Sequence, residues 1–291
     1  MEIVVTGPVL GADVVGVDLA SPLSSAEFRD VLRALGAHGV LRFPRQTLST
    51  DQFAAFGASF GELETNVANM FHEPGHPEVM ILSNIKKDGK ATGLGDAGQG
   101  WHTDMSYSRP NALTTILHAH KVPVQDGRPL GDTQFRNLHA AYEDLPADIR
   151  QRLDGRTATH DFAKFWDMMR ARPGNTRPPL TDAQRARKPA VSHPIFYPHP
   201  ITGKKVLYCN EGYAMQIDGM DHAESDELLA FLYRHQEQAK YQYSHHWTEG
   251  DVLMWDNIGT MHNAIADYGD NPRYMRRVQV MATKDYAKLA A

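Results

Sequence analysis

The stretch Gln99-Gly100-Trp101-His102-Thr103-Asp104 decides how the rest of this chain is read. In an extended strand residues i and i+2 point to one face, so His102 and Asp104 can present an imidazole and a carboxylate to one metal ion while Thr103 points away. A second imidazole from another strand would complete a two-histidine, one-carboxylate set. Such a set covers one face of an octahedral Fe(II) and leaves the opposite face open for substrate and dioxygen. The His-x-acid pattern is weak support by itself, because 15 His and 35 acidic residues in 291 give roughly two such triplets by chance. The chain holds four. His76/Glu78 contains Pro77 and suits a turn, while His222/Glu224 and His235/Glu237 fall in a helical stretch after Gly219. Only His102/Asp104 runs into a strand-like segment, behind an aromatic and small residues.

The candidate third ligand, His262, closes the segment Trp255-Asp256-Asn257-Ile258-Gly259-Thr260-Met261-His262. A strand-like run then opens at Arg273, and its period places Arg273, Met275 and Arg277 on one face with Arg276 on the other. Two guanidiniums on an inward, otherwise apolar face need anionic partners, and the arginine fork suits a carboxylate. A pair of solvated arginines is the simpler alternative.

Composition narrows the classes. A 42% apolar and 22% charged chain is an ordinary globular protein. No run of apolar residues is long enough to span a bilayer, and Met1-Glu2-Ile3-Val4-Val5-Thr6-Gly7 does not read as a signal peptide. A cytoplasmic protein with no membrane partner is expected. The net charge of -5 argues against a nucleic-acid surface, which needs a basic face. Cys209, alone, lies in the apolar run Val206-Leu207-Tyr208-Cys209 and reads as buried packing.

Two short strands are expected within residues 3–18, and a helix from Ser24 or Ser25 that ends at Gly36. A strand at 40–43 and a helix from Ser49 or Thr50 to Gly61 follow. Gly93-Leu94-Gly95-Asp96-Ala97-Gly98 is formally a dinucleotide fingerprint, but the strand before it has already ended and no helical pattern follows, so a loop leading to His102 is expected. Strands are expected at 78–85, 113–120, 191–197, 204–209, 241–248, 251–256, 260–266 and 274–282, with helices at 137–143, 146–154 and 223–238. Many short strands with few crossover helices favour an antiparallel sandwich or barrel. The Pro- and Arg-rich stretch from 160 to 190 reads as an irregular segment, a candidate substrate lid or else a plain surface loop, on a single domain spanning 1–291.

Trp101-His102-Thr103-Asp104, Gly131-Asp132-Thr133, Trp255-Asp256-Asn257, His262 and the Arg273/Arg277 pair, taken in order and spacing, resemble the taurine dioxygenase/phenoxyacetate dioxygenase (TauD/TfdA) family of Fe(II)- and 2-oxoglutarate-dependent dioxygenases. The similarity runs over nearly the whole chain, including Gly11 to Leu19 and Phe60-Gly61-Glu62-Leu63. It implies a mainly β fold with flanking helices, a double-stranded β-helix or cupin-like jelly roll. It implies Fe(II) on His102, Asp104 and His262, and 2-oxoglutarate with its distal carboxylate on Arg273 and the Thr133 hydroxyl. Dioxygen is the other co-substrate, and a small anionic organic substrate would face Arg277. Relatives suggest a homo-oligomer, dimer or tetramer. The retained carboxylate of Asp104 implies hydroxylation, coupled to conversion of 2-oxoglutarate to succinate and carbon dioxide.

The departures concern the substrate. Asn66 stands where the taurine enzymes place a sulfonate-binding histidine, and Asn69 where they place a pocket tyrosine. Phe165, followed by Trp166, replaces a small polar pocket residue. A carboxylate with an apolar or aromatic body therefore fits better than taurine. The competing readings are a zinc hydrolase on the same three ligands and a non-catalytic binding protein on the same fold. The Arg273/Thr133 pair argues against the first and the intact ligand set against the second.

Overall fold

The computed structural model describes residues 1–65, 71–95, 97–172 and 178–291. Its centre is an eight-stranded sheet in the order Glu2–Val5, Ala12–Val15, Val40–Phe43, Val252–Asp256, Ala112–Lys121, Tyr274–Met281, His76–Ser83 and His72–Glu73. Every pairing is antiparallel except Ala12–Val15 with Val40–Phe43. The inner strands are buried on both faces, and their alternation sorts side chains between two cores. Val252 and Met254 join one cluster with Leu41, Ile116 and Val278 under the helices Ser25–His38, Thr50–Phe60 and Tyr286–Ala290. Leu253 and Trp255 point the other way, with Leu117 and Met275, towards a three-stranded sheet of Gln242–His245, Thr133–Asn137 and Thr260–Ala264. The candidate site lies in this second layer. A third cluster joins the helices Leu138–Glu143, Ala147–Leu153 and His222–Gln236 to strands from 157 to 217. The fold is thus mainly β with flanking helices, and among the described residues no helix is long and apolar enough to cross a membrane.

Local chemistry sets the helix ends. Ser24 accepts from the Glu27 amide while the Glu27 carboxylate accepts from the Ser24 amide, a capping box that satisfies donors the first turn leaves free. Ser49 and Gln52 repeat it. The first helix does not stop at Gly36 but runs to His38 and ends on Gly39 at φ 67°. Gly36 serves packing instead: a Cβ there would come within 2.9 Å of Ile201 and Thr202. The described residues between 160 and 190 are also more regular than composition suggests. Asp161 caps the helix Phe162–Arg170 and a Thr181/Gln184 capping box starts Asp182–Arg187.

His76 and Glu78 sit at the start of the strand His76–Ser83 rather than in a turn. Pro77 is tolerated because pairing with Tyr274–Met281 begins only at Met80, so no ladder donor is missed. Cys209 is buried, which pushes its thiol up to about 12. The described residues of the glycine-rich stretch form no helix: Gly93 packs on Ser83 and the Leu94 amide donates to the Ile81 carbonyl.

Two buried histidines make this core acid-sensitive. Burial, aided by His193 and Lys164, lowers His160 to about 3, and burial with Arg109 lowers His193 to about 4. Both are neutral in the folded chain at pH 7, whereas the unfolded chain takes up their protons near pH 6.5. Below that pH the unfolded state binds more protons, so stability is complete above about pH 6.5 and is lost as pH falls towards 4. Each should cost roughly 2 kcal/mol at pH 5. Urea melts at pH 7 and pH 5 should show this loss, and His160→Asn should shrink it; an identical loss in the variant would contradict the assignment.

Candidate metal centre and its pocket

His102, Asp104 and His262 converge, all three buried, with their ligand atoms within 4.8 Å of one another. The way they meet differs from a simple strand. Only His102 pairs, as an isolated bridge in which His102 and His262 exchange backbone hydrogen bonds of 3.1 and 2.9 Å. The chain then turns over Asp104 to Tyr107, with Met105 at φ 55° and the Ser108 amide donating back to the Met105 carbonyl. The turn brings Asp104 Oδ1 to 3.5 Å from His102 Nε2 and Oδ2 to 3.7 Å from His262 Nε2.

Tautomers follow from the surrounding acceptors. His102 Nδ1 lies 2.7 Å from the Gly100 carbonyl, which can only accept, so Nδ1 carries the proton and the Nε2 lone pair faces the cluster. Gly100 is held in turn by its amide, which donates to Asn263 Oδ1 at 2.7 Å. His262 is oriented by packing, with its ring 4.8 Å from that of Trp255 and 6.3 Å from Phe135. Burial, reinforced by His102 and opposed by Asp104, lowers His262 to about 3, so it is the neutral imidazole that ligation requires. Burial works against ionisation of Asp104, but His262, His102 and Arg277 outweigh it and hold the carboxyl well below its usual range. A buried anion beside the His102 lone pair and a neutral His262 ring is a site that a cation completes.

A second trio, His139, His199 and Asp256, is equally close, but its tautomer differs. His199 Nδ1 accepts from the Ile201 and Thr202 amides at 3.3 and 3.2 Å. Its proton therefore sits on Nε2 and is donated to Asp256 Oδ2 at 2.7 Å. That nitrogen has no lone pair to offer, and the trio is an internal clamp.

Arg277 stands opposite Leu117 on the site-facing side of the sheet and Arg276 on the other, bonded to Glu73 at 2.6 Å. The Arg277 charge reaches Asp104, and Nη2 also contacts Met80 Sδ at 3.1 Å. Arg273 is buried, its guanidinium 5.7 Å over the Tyr268 ring, and its Nε has no hydrogen-bond partner among the described residues. Thr133 is buried as well, and its oxygen accepts from Trp247 Nε1 at 3.1 Å, which leaves the hydroxyl proton free to donate. Tyr268 also packs on Gly131, two residues before Thr133. An orphaned guanidinium donor and a free hydroxyl proton are what a carboxylate would satisfy.

Phe165 lies 5.3 Å from His102 and 4.8 Å from Tyr213, and Tyr107 bridges Tyr213 at 4.8 Å to Phe162 at 5.0 Å. Trp166 turns to Phe162 and donates to the Pro178 carbonyl. Asn66 and Asn69 lie outside the described residues. Tyr107, Phe162 and Tyr213 were not singled out by sequence; Tyr107 could have been suspected, three residues after Asp104, but nothing local marks Tyr213.

Residues 4–279 match the family of taurine catabolism dioxygenase TauD, TfdA, and the chain belongs to that family. It is 34% identical over 265 residues to the alpha-ketoglutarate-dependent 2,4-dichlorophenoxyacetate dioxygenase of Cupriavidus pinatubonensis, covering 88% of each chain. It is 30% identical over 277 residues to the alpha-ketoglutarate-dependent sulfate ester dioxygenase of Pseudomonas putida, covering 92% of this chain and 85% of that one. Among solved structures, AAD-2 in complex with Mn(II) and N-oxalylglycine matches with a TM-score of 0.79 at 27% identity over 98% of both chains. The protein is an oxidoreductase, a dioxygenase that depends on Fe(II) and 2-oxoglutarate.

Co(II) titration separates the two trios. One equivalent should bind the wild-type chain and His139→Ala alike, whereas Asp104→Ala should lose at least about 100-fold in affinity. Loss in His139→Ala with retention in Asp104→Ala would exchange their roles.

Proposed function

We propose that this dioxygenase hydroxylates a small organic acid with an apolar or aromatic body. The observation that carries the reading is the buried His102/Asp104/His262 cluster with the Arg277 charge and the aromatic rings of Phe165, Tyr213, Tyr107 and Phe162 around it. His102, Asp104 and His262 hold Fe(II). Bound there, Fe(II) supplies the activation of dioxygen that is coupled to conversion of 2-oxoglutarate to succinate and carbon dioxide. Arg273 pairs with the distal carboxylate of 2-oxoglutarate, and the Thr133 hydroxyl donates to it. Arg277 anchors the acidic group of the substrate, so its position relative to His102 and Asp104 selects which carbon is presented. The rings hold the body of the substrate and exclude water from the reacting face. The Cupriavidus relative, which by name acts on an aryloxyacetate, supports an aromatic acid.

The 160–190 segment is the lid of a single domain spanning 1–291, with Phe165 as its contact to the metal side. The frame is a double-stranded β-helix, supported by the two sheets that face each other across Leu117, Phe135, Trp255 and Met275.

Anaerobic titration of Fe(II) and 2-oxoglutarate should give the weak visible charge-transfer band of the chelate, and the correct acid should shift it. No band, with tight zinc binding instead, would favour a hydrolase. Arg273→Ala should raise the 2-oxoglutarate requirement roughly 100-fold, and Arg277→Ala should weaken the acid by a similar factor while leaving 2-oxoglutarate nearly unchanged. Equal effects of both changes on both ligands would sink this division of roles.

A further inference from the structure

Asp104 has a protein partner besides the histidines. Thr115 donates its hydroxyl to Asp104 Oδ2 at 2.7 Å, and its oxygen accepts from Asn257 Nδ2 at 2.8 Å. Asn257 Oδ1 accepts from Trp255 Nε1 at 3.0 Å. All three side chains are buried, and Thr115 and Trp255 are register partners on adjacent strands.

The direction of this chain is forced. An indole nitrogen only donates, so the Asn257 amide must turn its oxygen to Trp255 and its nitrogen to Thr115. The Thr115 oxygen then accepts a hydrogen bond from Asn257, and its single O–H donates to Asp104, which accepts when ionised. No member can reverse without leaving a buried donor facing a donor. The Asn257 backbone is fixed as well, since its amide donates to the Leu113 carbonyl at 2.9 Å.

We propose that Trp255, Asn257 and Thr115 are positioning residues that commit Oδ2 of Asp104 to the protein and leave Oδ1 as the metal-binding oxygen. The proposal rests on Asp104 being a metal ligand, as argued above. Its consequence is a coordination count. Two imidazoles and one carboxylate oxygen leave three of six octahedral positions open, two for 2-oxoglutarate and one for dioxygen. A carboxylate free to rotate could bind through both oxygens and close one of them. Outer partners of metal ligands typically change affinity by about 10- to 100-fold when removed, and here the partner also fixes how many ligand atoms Asp104 supplies. Trp255-Asp256-Asn257 thereby acquires two functions: Asp256 locks His199, and the residues on either side of it orient Asp104.

The probe is Co(II), whose affinity and visible ligand-field spectrum report ligand number without turnover. Thr115→Val, of the same shape without the hydroxyl, should bind one equivalent about 10- to 100-fold more weakly and with an altered band intensity. Thr115→Ser should restore both. If Thr115→Val does not fold, Asn257→Ala keeps the hydroxyl but frees its orientation, and should show the same spectral change with a smaller loss of affinity. Wild-type affinity and spectrum in whichever of these two variants folds would overturn the proposal. Unchanged Co(II) binding in Asp104→Ala would overturn the ligand assignment beneath it.

Discussion

A buried carboxylate is the constraint on which the centre depends. Water no longer solvates Asp104, and an ion in that position must be matched by its surroundings or it takes up a proton. Within the protein the match comes from the Arg277 charge and the Thr115 hydroxyl, while the neutral His102 and His262 rings leave room for a cation. Arg277 and Thr115 stand on two neighbouring strands of the large sheet, so the condition that Asp104 stay ionised ties the turn that carries it to those strands. A hydrophobic layer of Leu117, Trp255, Phe135 and Met275 holds those elements in register. Packing thus keeps the compensators within reach, and charge compensation gives that packing a use.

The same logic separates two trios that distance treats alike. His102 donates to a carbonyl through Nδ1 and turns a lone pair inward. His199 receives amides on Nδ1 and turns a proton inward. Backbone groups two or three residues away decide whether a histidine can ligate, and geometry without hydrogen-bond direction would have counted two metal sites.

What sequence made visible follows from range. The N-caps at Ser24 and Ser49 and the apolar, strand-like run at 251–256 are written in neighbouring residues, and they placed most elements within a few positions. Gly36 was misread as a stop because its role is set by Ile201 and Thr202, which no local pattern exhibits. The turn after His102 was read as strand because i and i+2 can share a face in either geometry, and only the pairing with His262 distinguishes them. The two helices between 160 and 190 were hidden by proline and arginine content, although the Thr181/Gln184 capping signal was present. Tyr213 and Thr115 acquire their neighbours only from tertiary structure, while the three ligand-type residues were found from spacing and family resemblance together.

The bridge between His102 and His262 has a consequence for how the chain is made. Gly100 and Asn263, flanking that bridge, are bonded across 163 residues. Closing so long a loop is entropically slow, and the sheet that receives the second histidine is completed by strands near the C-terminal end. During synthesis, which proceeds from the N-terminus, His102 and Asp104 emerge well before their partner and have no third ligand to share. The three side chains are therefore brought together late, once the C-terminal strands have docked.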